Sequence, residues 1–155
     1  MTDITIQIEN QEVLNELDRL HRAVTNMQPA MRSIGAAVKS NIELCFRDTK
    51  SPDGINWAAL SPATIANRRA NSDVPLNDTG VLKNSFTVQA GAQSVVVGTN
   101  APQAALMNFG GKKAQFPNLW GDIPARPFMP TSQLPASWER DVIEAIRAHL
   151  IGTPT

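Results

Sequence analysis

The stretch Ile123-Pro124-Ala125-Arg126-Pro127-Phe128-Met129-Pro130 constrains the backbone more than any other of its length in this chain. Each proline holds φ near about −65° and lacks an N–H donor, so the segment cannot be helix and must run extended, along a sheet edge or across a surface. One arginine stands on this stiff backbone beside Phe128 and Met129. A guanidinium held among apolar neighbours usually has a fixed partner or a fixed task, so Arg126 is the residue whose surroundings need explaining. The plain alternative is a rigid connection into a last helix.

Downstream, Trp138, Val142, Ala145, Ile146 and His149 or Leu150 recur at helical spacing opposite Glu139, Arg140, Glu144 and Arg147, which predicts a C-terminal amphipathic helix. Upstream, residues 111–122 carry Lys112, Lys113, Pro117, Trp120 and Gly121 with no period, the pattern of a long, mobile loop. Before it, Asn100 is placed to cap a helix from Ala101 to Phe109, with Gly110 and Gly111 ending it. Phe86, Val88 and Ala90 alternate with polar residues, Val95-Val96-Val97 follows, and Gly91-Ala92-Gln93-Ser94 lies between them, which predicts an antiparallel hairpin. Asp78-Thr79-Gly80 precedes an expected short turn of helix at Val81–Lys83, and Ser61-Pro62 reads as the cap and first residue of a helix to about Arg69, with a loop over 70–75.

Earlier still, Ser51-Pro52-Asp53-Gly54 has the proline and glycine positions of a type I turn. Val13, Leu17, Leu20, Val24 and Met27 form one helical stripe behind the expected cap Asn10, and Met31, Ile34, Val38, Ile42 and Cys45 form another after Pro29. Ala36 and Ala37 are small enough for close packing there. Thr2–Ile8 alternates as a short strand. The expected architecture is α+β over one domain, 1–155: a small, mostly antiparallel sheet with a central β-hairpin, packed against two long N-terminal helices and a C-terminal amphipathic helix.

Fourteen basic and fourteen acidic residues cancel in the 155-residue chain, which argues against a protein built to grip nucleic acid through phosphates. Tyrosine is absent, so stacking platforms for single strands are not supported either. The single cysteine, Cys45, reads as a small buried hydrophobe in a reducing compartment. No apolar run approaches the ~20 residues of a membrane span and no signal segment opens the chain, so a soluble, unprocessed protein without membrane partners is expected.

Chemistry is sparse. His21 and His149 have no second ligand at i+3 or i+4, no serine sits in a Gly-x-Ser-x-Gly elbow, and Gly110-Gly111-Lys112-Lys113 lacks the spacing of a phosphate loop. No catalytic, cofactor or metal residue is assigned. Asp48, Asp53, Asp73 and Asp78 fit turn and capping duties. Trp57 and Trp138 read as core, whereas Trp120, in a polar loop, reads as a contact with another chain.

Phe46, the Ser51–Gly54 turn with Trp57 and Leu60, Leu76-Asn77-Asp78-Thr79-Gly80-Val81-Leu82, Val96-Val97-Gly98, Asn108-Phe109-Gly110 and Ile123–Phe128 together form an ordered constellation. Over about residues 42–150 it resembles the phage virion morphogenesis family, the tail completion proteins of long-tailed and Mu-like phages. The resemblance implies a structural, non-enzymatic virion component of the tail or neck, assembled in the host bacterial cytoplasm, which completes the tail or joins it to the head. It further implies self-association into a ring, sixfold in similar proteins, with the tail tube or terminator and the neck or connector proteins as neighbours. No specific nucleic acid is implied, although DNA would pass through such a ring. Carried over by position, Pro52, Gly54, Trp57, Leu76, Gly80, Leu82, Phe109, Gly110, Pro124 and Pro127 are expected scaffold. Arg126 and Phe128 share the match and are expected, with Trp120, Lys112 and Lys113, to touch subunits or the tail. The last three lie in the variable loop and inherit nothing from the resemblance. A small phage enzyme or enzyme regulator with an unrecognised site is the competing expectation.

Overall fold

The computed structural model describes residues 10–69 and 73–152. The expected strand at Thr2–Ile8 and part of the 70–75 loop lie outside them. Two helices open the described chain, α1 (Gln11–Thr25) and α2 (Gln28–Asp48). Pro29 sits in the first turn of α2, where its missing N–H costs no helix bond. Asn10 holds the N-cap position of α1 but makes no side-chain cap bond, and only its carbonyl is used, by Leu14 N–H at 3.0 Å.

Thr49 adopts a left-handed φ of 52° and ends α2. The chain then doubles back through the Pro-Asp-Gly turn, closed by Gly54 N–H on the Ser51 carbonyl at 2.8 Å, with Gly54 at φ 80°. Lys50 bridges Asn56, and Trp57 N–H reaches the Thr49 carbonyl at 2.9 Å. This small loop returns the indole of Trp57 to Phe46 near the end of α2, ring centroids 5.5 Å apart and edge to face.

Helix α3 (Pro62–Ala66) is capped as expected, Ser61 Oγ accepting from Thr64 N–H at 3.2 Å, but it ends three residues before Arg69. The helical turn expected at Val81–Lys83 falls at Lys83–Ser85, as a 3₁₀ turn. Gly80, at φ 76°, delays it, and its carbonyl accepts from Asn84 N–H. Strands β1 (Phe86–Ala90) and β2 (Val95–Thr99) pair antiparallel from Phe86 with Thr99 to Ala90 with Val95, and they are the whole sheet among the described residues. The hairpin lies on α2 at Gly35. A methyl there would collide with Val88 and stand 2.9 Å from Val95, so the close approach belongs to this glycine; Ala36 is exposed.

Helix α4 (Ala104–Phe109) starts three residues later than expected. Thr99 rather than Asn100 serves the turn before it, its hydroxyl accepting from Ala101 N–H at 3.1 Å. Helix α5 (Ala136–Ile151) lies along α2, with Asn41 donating to Asp141 at 2.7 Å and Trp138 buried. The core is a four-ring cluster: Phe46 contacts Trp57, Phe86 and Phe128, Phe86 also meets Phe128 at 5.6 Å, and Ile42, Cys45, Leu82, Ala104 and Trp138 enclose them. Helix α1 stands apart. Its chief contact is α5, where His149 Nε2 donates to the Ala23 carbonyl at 2.9 Å, and none of its residues is buried.

Candidate functional site

The proline-stiffened stretch runs between two parts of the chain and is stitched to both. Its arginine is buried, 6 % exposed, and its fork is spent on backbone: Nε donates to the Ala58 carbonyl at 2.8 Å and Nη2 to that of Ala59 at 3.0 Å. No carboxylate among the described residues pairs with it. Burial, and then the charge of Arg68, push its pKa below the ordinary guanidinium value. On the other side, Arg126 N–H reaches the Met107 carbonyl at 2.9 Å. Asn108 Oδ1 accepts from both Phe128 N–H at 2.9 Å and Met129 N–H at 3.0 Å. Trp57 Nε1 donates to the Pro127 carbonyl at 2.7 Å. Every backbone donor that the prolines leave in Arg126–Met129 is thereby matched.

Arg126 and Phe128, expected among the contact residues, therefore face inward. Phe128 is 1 % exposed in the aromatic cluster, and Arg126 ties the stretch to residues 58 and 59 while also lining a cavity shared with Trp120, Ala59 and Leu76. Asn108 is the residue the sequence reading left without a role. The signal was its place in Asn108-Phe109-Gly110, a polar residue at the end of an otherwise apolar helical run.

Gly110 explains how close these segments lie. Its φ is 73°, and a methyl there would stand 2.7 Å from Ala125 N and 2.8 Å from the Ile123 carbonyl. Next to it, Gly111 and Ile123 exchange two backbone bonds, 2.9 and 2.8 Å, and Lys113 N–H donates to Asp122 Oδ1 at 2.8 Å. The loop 111–122 is thus pinched shut at its base.

The loop carries the exposed residues. Trp120 is 75 % exposed, and Lys112 and Lys113 are exposed as well. Phe109, expected as scaffold, is 66 % exposed, because the neighbouring Asn108 takes the inward face of α4. With Pro102, Ala105, Leu106, Phe116 and Leu119 it lines an apolar groove of about 580 Å³. A second open apolar surface is α1, whose stripe Val13, Leu14, Leu17 and Val24 is exposed. Among the described residues, no three His, Cys, Asp or Glu side chains gather into a metal site, and no helix is long and apolar enough to cross a membrane. Cys45 is buried beside Phe46, where burial first, and then Asp48, raise its thiol to about 11.

A family model described as the phage virion morphogenesis family matches residues 8–151. The chain belongs to that family. Among curated relatives, "Mu-like prophage FluMu G protein 2" of Haemophilus influenzae is 34 % identical over 145 residues, covering 93 % of this chain and 94 % of that protein. No solved structure matches. The span of the family includes every residue that builds the Pro-Arg-Pro framework, together with both open apolar surfaces.

Proposed function

We propose that this virion morphogenesis protein is a structural component that completes the phage tail or joins it to the head, working as an oligomeric ring of identical copies. The observation that carries the reading is the open apolar stripe of α1: a helix with no buried residue whose apolar side faces solvent. An amphipathic helix is ordinarily held by burying its apolar stripe, and where its own chain leaves the stripe open another chain can supply the cover. A ring needs two different surfaces on each subunit, and α1 and the groove beside α4 are two such surfaces on different elements. Tail tube and neck proteins are the neighbours this role implies, and the host cytoplasm is the place of assembly.

The test is disruption of the gene in the phage that carries it. Filled heads and separate tails, rejoined when the protein is supplied in trans, are expected. Complete, infectious virions without it would overturn the reading.

A further inference from the structure

The assembly reading leaves open which surface meets which, and the inference below rests on that reading. We propose that α1 of one copy docks its apolar stripe into the groove of the next copy, the one lined by Ala105, Phe109 and Phe116.

The two surfaces fit in kind. Val13, Leu17, Leu20 and Val24 lie along one side of α1, a ridge of roughly 17 Å at 1.5 Å per residue. The groove is concave and lined almost wholly by apolar side chains, and no α1 residue enters it. Within one chain α1 is held against α5 by His149, so the occupant comes from another copy. The charges fit as well. Glu12, Glu16 and Asp18 make the front half of α1 acidic, Glu16 is paired with Arg19 at 2.9 Å, and Arg22 follows in the back half. Lys112 and Asp122 line the cleft that adjoins the groove through Phe109 and Gly110, Lys113 follows, and Asp122 accepts from the Lys113 backbone N–H, so two ammonium groups stand against one carboxylate and neither lysine forms an ion pair among the described residues. Entering with its acidic front half beside the lysines, α1 gains attraction at the rim while its apolar ridge leaves water.

Pairing α1 with α1 satisfies less. Its seam spans about two heptads, short of the three or four that sustain a coiled coil. It would leave the groove open and the two lysines beside it unused. Ridge into groove is a heterologous contact, so each copy has one donor and one acceptor surface, and repetition closes a ring or extends a filament.

Cross-linking of the full chain tests the pairing, in the purified protein and in assembled virions. Leu17→Cys combined with Ala105→Cys is expected to give a ladder of species with a short bis-maleimide reagent. Either substitution alone, or the parent with Cys45 buried, should give none. Both positions are exposed, so folding is preserved, and an unchanged melting temperature checks this. Leu17→Glu should raise the concentration needed for association roughly tenfold or more by light scattering. A cross-linked dimer from Leu17→Cys alone would overturn the proposal in favour of α1 pairing with itself. Cross-linking of Leu17→Cys to a different virion protein would overturn it too. Association without a ladder would sink the pairing and leave the assembly reading standing. A chain that stays monomeric and gives no ladder even in virions would overturn the pairing and the ring together, whereas the tail-joining role itself fails only in the gene disruption.

Discussion

Arg126 shows how a charged side chain can act as a clasp. Its guanidinium satisfies two carbonyls of a segment that belongs to no helix or strand, and truncation would strand both. Arg126→Ala should cost about 2–4 kcal/mol of folding stability, because two acceptors lose charged donors. Arg126→Lys should recover only part of that, since an ammonium cannot reproduce the fork. Denaturant titration measures both; an Arg126→Ala chain of full stability with impaired assembly would return the residue to the outer surface. Asn108→Ala should cost a similar amount by leaving the Phe128 and Met129 N–H groups unpaired. Cys45 carries a pH signature. Its folded thiol titrates near 11, above its ordinary value of 9.0, so ionisation favours the unfolded chain: this contribution is intact below about pH 9 and is lost as pH rises toward 11. Cys45→Ala should flatten the alkaline decline in stability relative to the parent; equal slopes would place the thiol in water.

At the level of elements, α1 and α2 differ in what holds them. Helix α2 carries Ile34, Ile42, Cys45 and Phe46 into the core, while α1 buries nothing. Amide hydrogen exchange in the monomer should therefore be at least tenfold faster across α1 than across the centre of α2, and association should slow α1 selectively. Uniform protection would mean that α1 is already held by its own chain. The hairpin was legible in the sequence because β-branched alternation around Gly91–Ser94 admits few other structures. The cap at Ser61 was legible because Ser-Pro has one common use. The opening of α4 was not, since its N-cap position falls to Gln103 without a side-chain cap bond, and the hydroxyl of Thr99, bonded also to Ser85, serves only the preceding turn at Ala101. The stripe of α1 was legible as apolar, but periodicity says which face avoids water and not which chain supplies the cover. The inward turn of Arg126 was hidden for a related reason: its partners are backbone carbonyls, which leave no mark in a sequence.

Across the whole molecule, one aromatic cluster joins parts distant in the chain. Phe46 comes from α2, Trp57 from the returning loop, Phe86 from the hairpin and Phe128 from the proline-stiffened stretch. Phe128→Ala or Trp57→Ala should each cost ~3–5 kcal/mol. The loss should appear at the same denaturant concentration by tryptophan fluorescence and by circular dichroism, because no part keeps a core without the others. Separated transitions would reveal two independent units. The family match over residues 8–151 covers all four rings, so this cluster sits inside the part of the chain that the family shares.

The pinch between Gly111 and Ile123 separates two kinds of change. Below it, the N–H groups of Arg126, Phe128 and Met129 and the carbonyl of Pro127 are committed to the framework. Above it, residues 112–122 hang from a closed neck, and they supply Phe116 and Leu119 to the groove. Lengthening a loop whose ends are already fastened adds only about 0.6 kcal/mol per doubling. This segment can therefore change length or sequence at little cost to the framework on which it is mounted.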